Sequence, residues 1–209
     1  MMLLVESNFV IELAALQEEV DEAELLVQSA ERHEHRLFVP AFSLAEPFET
    51  YARWSKQRKQ SSNDFETQLR QLARSRDHAD LVNASQTIIA VFSSSTVLQS
   101  RRLNETLTRL IRCATVLPLD EHVIERSVEA QEEFDFEAKD AVVFASVEAG
   151  LMAAEAQEDR LFITKDRSGF LRPKVVEHFK ELRCDVIPAI GPALGRIKRA
   201  GIGAEVRPA

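Results

Sequence analysis

The chain of 209 residues is long enough for one large domain, and its hydrophobic fraction of 45% and charged fraction of 29% are ordinary for a soluble globular protein. Its two cysteines, Cys113 and Cys184, lie far apart and outside any C-x-x-C pair, which argues against a disulfide framework or a zinc site. Glu6 interrupts the apolar opening MMLLV, so neither a signal peptide nor a membrane-spanning helix is expected. We therefore expect a cytosolic protein in a reducing compartment.

The net charge of −8 conceals an alternation of acidic and basic segments. Residues 1–50 carry 2 Lys/Arg against 11 Asp/Glu, and residues 113–164 carry 3 against 13. Residues 51–112 carry 11 Lys/Arg against 5 Asp/Glu, and residues 165–209 carry 10 against 5. This asymmetry is typical of a protein whose basic segments bind a polyanion and whose acidic segments hold a cation next to it. Solvated helix faces would give the same pattern.

The N-terminal elements place two acids at element boundaries. Residues 2–5 predict a strand that ends at Glu6, and a helix over 9–16 follows, which Ser7 or Asn8 can cap. An amphipathic helix is expected over 21–36.

A second strand over 37–39 ends at Pro40. Ser43 and Glu46 then have the S-x-x-E form of a capping box, which predicts a helix that runs through Trp54. A capping box alone would explain Glu46 without any metal.

Residues 55–112 predict a helical insertion that polar loops at 61–63 and 93–95 divide. Tyr51 and Trp54 stand at its start, where an aromatic ring beside arginines can stack on an unpaired base, although helix packing is the commoner role of tryptophan. The insertion is basic throughout, through Arg53, Lys56, Arg58, Lys59, Arg70, Arg74, Arg76, Arg101, Arg102, Arg109 and Arg112.

The late helix and the strand after it supply two aspartates. A third strand over 115–119 and a helix over 121–134 lead to Asp140. Asp140 lies on a stripe of apolar residues with helical spacing and is expected to point into the core; the stripe is Val143, Phe144, Val147 and Leu151. The apolar run 161–164 predicts a buried strand, and Asp166 follows two residues after its end.

The C-terminal part completes the alternation with a helix over 173–182 and a strand over 185–188. Strands and helices in this order predict a three-layer α/β/α sandwich with a mostly parallel sheet of four to five strands. We expect one domain over 1–190 with the insertion at about 55–112. The tail over 191–209 is basic, rich in Gly and Pro, and expected to be loosely ordered.

The four acids are expected to meet at one edge of this sheet, because the carboxyl ends of parallel strands lie together. Glu6, Glu46 and Asp166 emerge there, and Asp140 reaches them from the adjacent helix. Carboxylates packed together repel one another unless a cation neutralises them, and Mg²⁺ or Mn²⁺ prefers such oxygen ligands. One or two ions could activate a water and hydrolyse a phosphodiester without a protein nucleophile.

The sequence contains no phosphate-binding loop, no G-x-G-x-x-G after a strand, no G-x-S-x-G and no H-E-x-x-H. The histidines lie on polar stretches and are expected at the surface; they are His33, His35, His78, His122 and His178.

Four segments in this order resemble the PIN domain nucleases: VESNFVIEL, FSLAE, KDAVVFASVEAG and LFITKD. The resemblance covers about residues 2–50 and 113–190. It implies that Glu6, Glu46, Asp140 and Asp166 bind Mg²⁺ or Mn²⁺ for the cleavage of RNA, expected to be single-stranded. It also implies that Asn8 and Thr164 support these ligands. Homodimerisation is a further implication.

Two departures from the family pattern stand out. The first acid of the family is usually aspartate, and Glu6 is one methylene longer, so its carboxylate must fold back or bind through a water. Compact members of the toxin type lack a helical section as long as 55–112, which argues against an antitoxin partner.

Two other functions compete with the ribonuclease. A PIN-like module that binds RNA or protein without cutting is motivated by Glu6. Phosphoryl transfer, as in haloacid dehalogenase-like phosphatases or receiver domains, would need a second acid near Glu6. The residue two positions on is Asn8, and Lys165 is the only feature that matches a receiver.

Overall fold

The computed structural model describes residues 1–75, 79–155 and 158–205. Its single sheet has five parallel strands in the order β3-β2-β1-β4-β5. The strands are β1 (Met2–Val5), β2 (Arg36–Pro40), β3 (Ala114–Leu117), β4 (Arg160–Ile163) and β5 (Cys184–Ile187). Every predicted strand is present to within two residues at either end, because each is a short apolar run.

Eight helices connect and cover these strands in the described part of the chain. They are α1 (Ser7–Ala15), α2 (Val20–Glu31), α3 (Ala41–Leu72), α4 (Ala79–Cys113), α5 (Glu121–Phe134), α6 (Ala138–Met152), α7 (Pro173–Glu181) and α8 (Ile190–Glu205). The helix predicted over 21–36 ends five residues early, and His33 just after it has a positive φ of 58°.

Alternate strand residues point to opposite faces of the sheet, which creates two cores. Leu3, Val5, Leu161 and Ile163 pack against α1, α2, α4 and α8. Met2, Leu4 and Phe162 pack against α5, α6 and α7 on the other face. The predicted three-layer α/β/α sandwich is thus confirmed, with a sheet that is entirely parallel.

The chain reverses its direction across the sheet at β1. From β1 it proceeds outward through β2 to β3, and it later returns to pair β4 with the other side of β1, with Val5 opposite Ile163. Such a switch point is where open α/β sheets bind ligands. Glu6 follows β1 and Asp166 follows β4, so both acids emerge at it.

The insertion is a pair of long helices, α3 and α4, which pack against each other. The predicted loops at 61–63 and 93–95 were wrong, because both serine-rich stretches lie inside helices. Serine hydroxyls there can bond to a backbone carbonyl of the preceding turn, as Ser95 does to Phe92. Arg76 and His78 lie outside the described residues.

The predicted loose tail was also wrong over Ile190–Glu205, which forms α8. Glu19 accepts hydrogen bonds from the backbone N–H groups of Ile190 (3.2 Å) and Gly191 (3.0 Å), and so caps the free amides of this helix. Ile190, Ala193 and Ile197 are buried in the core beneath it. Residues 206–209 lie outside the described part.

Tyr51 and Trp54 take part in helix packing. Their ring centroids are 5.3 Å apart, Tyr51 is buried in the core, and Trp54 packs against it. Of the two roles considered for Trp54, the structure therefore favours packing over stacking on a base.

Candidate metal centre

Glu6 is held by three hydrogen bonds at the end of β1. Its Oε2 accepts from the Asn8 backbone N–H (2.9 Å) and from the Ser7 hydroxyl (3.0 Å), and its Oε1 accepts from the Thr164 hydroxyl (3.2 Å). Glu6 is therefore itself the cap of α1, where Ser7 or Asn8 was expected. The longer side chain has folded back onto the backbone, and both carboxylate oxygens are engaged.

The Glu6 carboxyl is almost fully buried, with 3% of the residue exposed. Burial raises its pKa, and the hydrogen bonds from Asn8, Ser7 and Thr164 oppose that rise without cancelling it. The hydrogen bonds of Glu6 thus join the first turn of α1 to the residue after β4, and burial of the Glu6 carboxyl group away from water opposes this arrangement.

Asp166 is oriented by the turn that follows β4. Its Oδ1 accepts from the Ser168 N–H (3.0 Å), the Ser168 hydroxyl (2.7 Å) and the Gly169 N–H (3.1 Å). Its own N–H donates to the Thr164 hydroxyl at 3.0 Å. Thr164 therefore links Asp166 to Glu6, and the second oxygen of Asp166, Oδ2, is left for another partner.

Asp140 and Asp166 face the same small space in front of Gly169. A Cβ atom added to Gly169 would lie 3.1 Å from Asp140 Oδ2 and would collide with Asp166 Oδ2. A side chain at position 169 would fill the space that these two oxygens share. Glycine at this position keeps it open.

Asp140 is half-buried at the start of α6 and has its pKa raised to about 6. Burial is the largest cause, followed by the negative charges of Asp166, Glu137 and Glu46, while Arg172 acts in the opposite direction. The expected position of Asp140 inside the core is thus replaced by one at the rim of the core, facing another acid.

Arg172 does not form an ion pair with Asp140. Its guanidinium donates to the carbonyl oxygens of Gly169 (3.0 Å) and Asp135 (3.1 Å) and lies 4.6 Å from the centroid of the Phe136 ring. The positive charge of Arg172 is therefore close to Asp140, but its guanidinium hydrogen bonds are made to backbone carbonyl oxygens.

Glu46 lies in the second turn of α3, with its side chain 19% exposed. Its Oε1 is 3.8 Å from the Lys139 Nζ, and that ammonium group is closer to Glu49 Oε2, at 2.6 Å. The capping box was wrong, because α3 begins at Ala41 and the Ser43 hydroxyl is buried inside the helix without a described partner. Glu46 is thus free of the structural role that could have explained it.

The structure brings Asp140 and Asp166 together, with Glu46 close enough to affect the charge of Asp140, and connects Glu6 through Thr164. Within residues 1–75, 79–155 and 158–205, no group of three or more His, Cys, Asp or Glu side chains is arranged to hold a metal ion as it stands. The donor chemistry nevertheless fits a hard cation, since two free carboxylate oxygens share one space. The ligand roles of the four acids stay a prediction.

Three residues of this site were missed from the sequence. Gly169 keeps the space open, Arg172 holds the turn, and Lys139 contacts Glu46. The D-x-x-G spacing after β4 was a usable signal for the turn, and Lys139 directly precedes Asp140. The contacts of Arg172 depend on tertiary packing and have no local signal.

Comparison with protein-family models, with curated proteins and with solved structures finds no match for this chain. The resemblance to the PIN domain nucleases therefore still depends on the four motifs alone. Among the described helices, none is long and apolar enough to cross a membrane.

Proposed function

We propose that this protein is a Mg²⁺- or Mn²⁺-dependent ribonuclease that hydrolyses RNA phosphodiester bonds. The observation that carries the proposal is the shared space between Asp140 and Asp166, with the Asp140 pKa raised to about 6 and no ion pair to Asp140 among the described residues. Acids that face acids without a cation are the arrangement that a divalent ion would stabilise.

Asp140 and Asp166 would hold the ion, and Glu46 would be a third donor if it moved away from Lys139. When bound, the ion would lower the pKa of a water molecule and neutralise charge on the leaving oxygen. The hydrogen bonds from Ser168 and Gly169 fix the direction of Asp166. Glu6 acts on the site through Thr164, which holds the Asp166 backbone.

The test is cleavage of a fluorescent single-stranded RNA by the full chain with Mn²⁺. Cleavage should be abolished by EDTA and reduced at least about a thousandfold in Asp140→Asn, because metal-assisted charge stabilisation amounts to several kcal/mol. Asp135→Asn is the matched control. Asp135 is exposed and has a left-handed backbone conformation that asparagine tolerates, so this variant should cleave RNA normally. Equal cleavage by Asp140→Asn and the unchanged protein would refute the assignment.

A second candidate is a PIN-like module that binds RNA or protein without cutting. It is favoured by the engagement of both Glu6 oxygens and by the absence of a three-acid group in the described residues. Tight RNA binding without cleavage at any Mn²⁺ concentration would support this module over the enzyme.

The proposal takes single-stranded RNA as the substrate and the cytoplasm as the location. It includes a homodimer, which sedimentation at several protein concentrations would test. An antitoxin partner is not part of it, because of the long α3 and α4 helices.

A further inference from the structure

Helix α3 runs directly out of the candidate site. Glu46 lies in its second turn, and the helix continues to Leu72, about 40 Å further at about 1.5 Å per residue. Tyr51 and the partly buried Trp54 are its last contacts with the core on the sheet side. From there onward α3 packs against α4, and its other faces are open to solvent.

Two exposed cations lie on the side of α3 that leads away from the site. Arg53 is seven residues after Glu46 and therefore lies nearly in line with it along the helix. Lys56 is seven residues after Glu49 and lies in line with that residue in the same way. The rise along the helix puts them about 10 Å and about 15 Å from Glu46. We call these two residues the α3 ridge.

Neither cation of the α3 ridge has an ion pair or a side-chain hydrogen bond that would occupy it among the described residues. Lys139 bonds Glu49 at 2.6 Å, and Arg58 turns toward α4, where it contacts Gln99 and Ser95. The charge of Glu49 is thereby offset, since its pKa is lowered first by the hydrogen bond from Lys139 and further by Arg53. The α3 ridge thus remains as net positive charge beside an acidic site.

We propose that the α3 ridge binds the phosphates of the RNA strand on one side of the cut, so that the substrate leaves the candidate site along the first half of α3. This inference rests on the proposed ribonuclease function. At a phosphate spacing of at least about 3.4 Å along a stacked strand, Arg53 and Lys56 contact phosphates no more than about three to four nucleotides from the cleaved bond.

Binding is measured separately from cleavage. A fluorescent 20-nucleotide RNA is titrated in EDTA against the full chain and against Arg53→Gln/Lys56→Gln, over a series of KCl concentrations. The double variant should bind about tenfold more weakly near 0.1 M salt, and the slope of log affinity against log salt should fall by about 1.4, at about 0.7 per phosphate contact.

The matched control is Lys59→Gln/Arg74→Gln, which removes the same charge from α3 and from the turn that follows it. Both residues are exposed, and Lys59 is turned about 140° from Glu46 around the helix, at about 100° per residue. The control should keep the affinity and the salt slope. Thermal unfolding checks that both double variants fold.

The position of the contact is tested by shortening the RNA from each end. Removal of all but the first nucleotide on one side of the cut should make the unchanged protein and the ridge variant bind equally, whereas removal of only the nucleotides beyond the fourth should preserve their difference. Removal on the other side should leave their difference intact.

Equal losses of RNA affinity in the ridge and control variants would show only diffuse electrostatic attraction, and would overturn the proposed role of the α3 ridge. Cleavage with Mn²⁺ that is unaffected by the ridge variant would overturn the path but leave the ribonuclease standing. Selective loss of binding in the ridge variant, with no cleavage by the unchanged protein, would support the path and reject the ribonuclease.

Discussion

The candidate site and the contact region between α5, α6 and α7 both enclose acids, but among the described residues only the second bonds its most buried carboxylate to a cation. Glu148 is 4% exposed, and its carboxylate accepts two hydrogen bonds from the Arg126 guanidinium at 2.6 and 3.2 Å. His178 Nε2 is 2.6 Å from the same carboxylate. Asp140, by contrast, faces Asp166, and the nearby Arg172 is bonded to backbone carbonyls.

This difference separates acids that hold the fold together from acids that are available for chemistry. Even Lys165, next to Asp166 in sequence, turns away from the site and bonds the fully buried Glu12 at 2.8 Å. Asp140 has no ion pair among the described residues although the buried Glu12 and Glu148 both do, and a half-buried acid without a cation partner is the pattern expected of a functional site.

The largest expected effect is on the paired region. Arg126→Met should lower the free energy of unfolding by about 3 kcal/mol, because it leaves Glu148 buried with His178 alone. Urea denaturation measures this loss, and RNA cleavage at a temperature where the variant is folded should be unchanged. Arg32→Met is the matched control. It breaks an exposed pair with Glu34, at 2.7 Å, and should cost less than about 1 kcal/mol. Similar losses in both variants would remove the contrast between paired acids and site acids.

Smaller effects are expected from the link between Glu6 and Asp166. Thr164→Val removes the hydroxyl that bonds both, and should weaken Mn²⁺ binding about 10- to 100-fold, as is typical for groups that orient metal ligands. Calorimetry with Mn²⁺ measures the change. Thr108→Val makes the same substitution on an exposed turn of α4 and should bind Mn²⁺ normally. Unchanged affinity in Thr164→Val would mean that Asp166 needs no such support.

The sequence was most informative where one residue pattern had one structural outcome. The short apolar runs had to be buried strands, and the position of Asp166 shortly after the end of β4 followed from them. The prediction failed where a polar stretch had two outcomes. Serines at 61–63 and 93–95 favour loops by composition, but two long helices packed together retain them.

Tertiary partners explain what was missed in the two buried-acid regions. His178 was expected at the surface, because its neighbours in sequence are polar, yet it packs against Phe144 and bonds Glu148. Neither partner is close to it in the chain. The positions of Glu6 after β1 and of Asp166 after β4 were predictable, whereas the place of Asp140 at the rim of the core and the hydrogen bonds that occupy both Glu6 oxygens were not.

The proton on Asp140 should compete with the metal ion. Because the pKa of Asp140 is about 6, Mn²⁺ affinity should rise by up to about tenfold per pH unit below pH 6 and level off above it. Calorimetry in buffers of different ionisation enthalpy would detect the released proton. Asp140→Asn should remove this part of the pH dependence, and the part that remains would report on Glu6, whose pKa is also raised. An affinity that is constant between pH 5 and 7 would contradict the raised pKa.

The smallest effect is the one that most directly contrasts the two regions. Without metal at pH 7, Asp140→Asn should leave stability unchanged or raise it by less than about 1 kcal/mol, since it removes a charge that faces Asp166. The Asp140 pKa is raised in the folded state, so its stabilising contribution is complete below about pH 3.8 and is lost as the pH rises through about 6. The advantage of the variant should therefore vanish near pH 4. Mn²⁺ should reverse the order at pH 7, because only the unchanged protein gains binding energy. Glu148→Gln should destabilise the protein under all these conditions, and an equal loss in Asp140→Asn would mean that Asp140 is a structural acid after all.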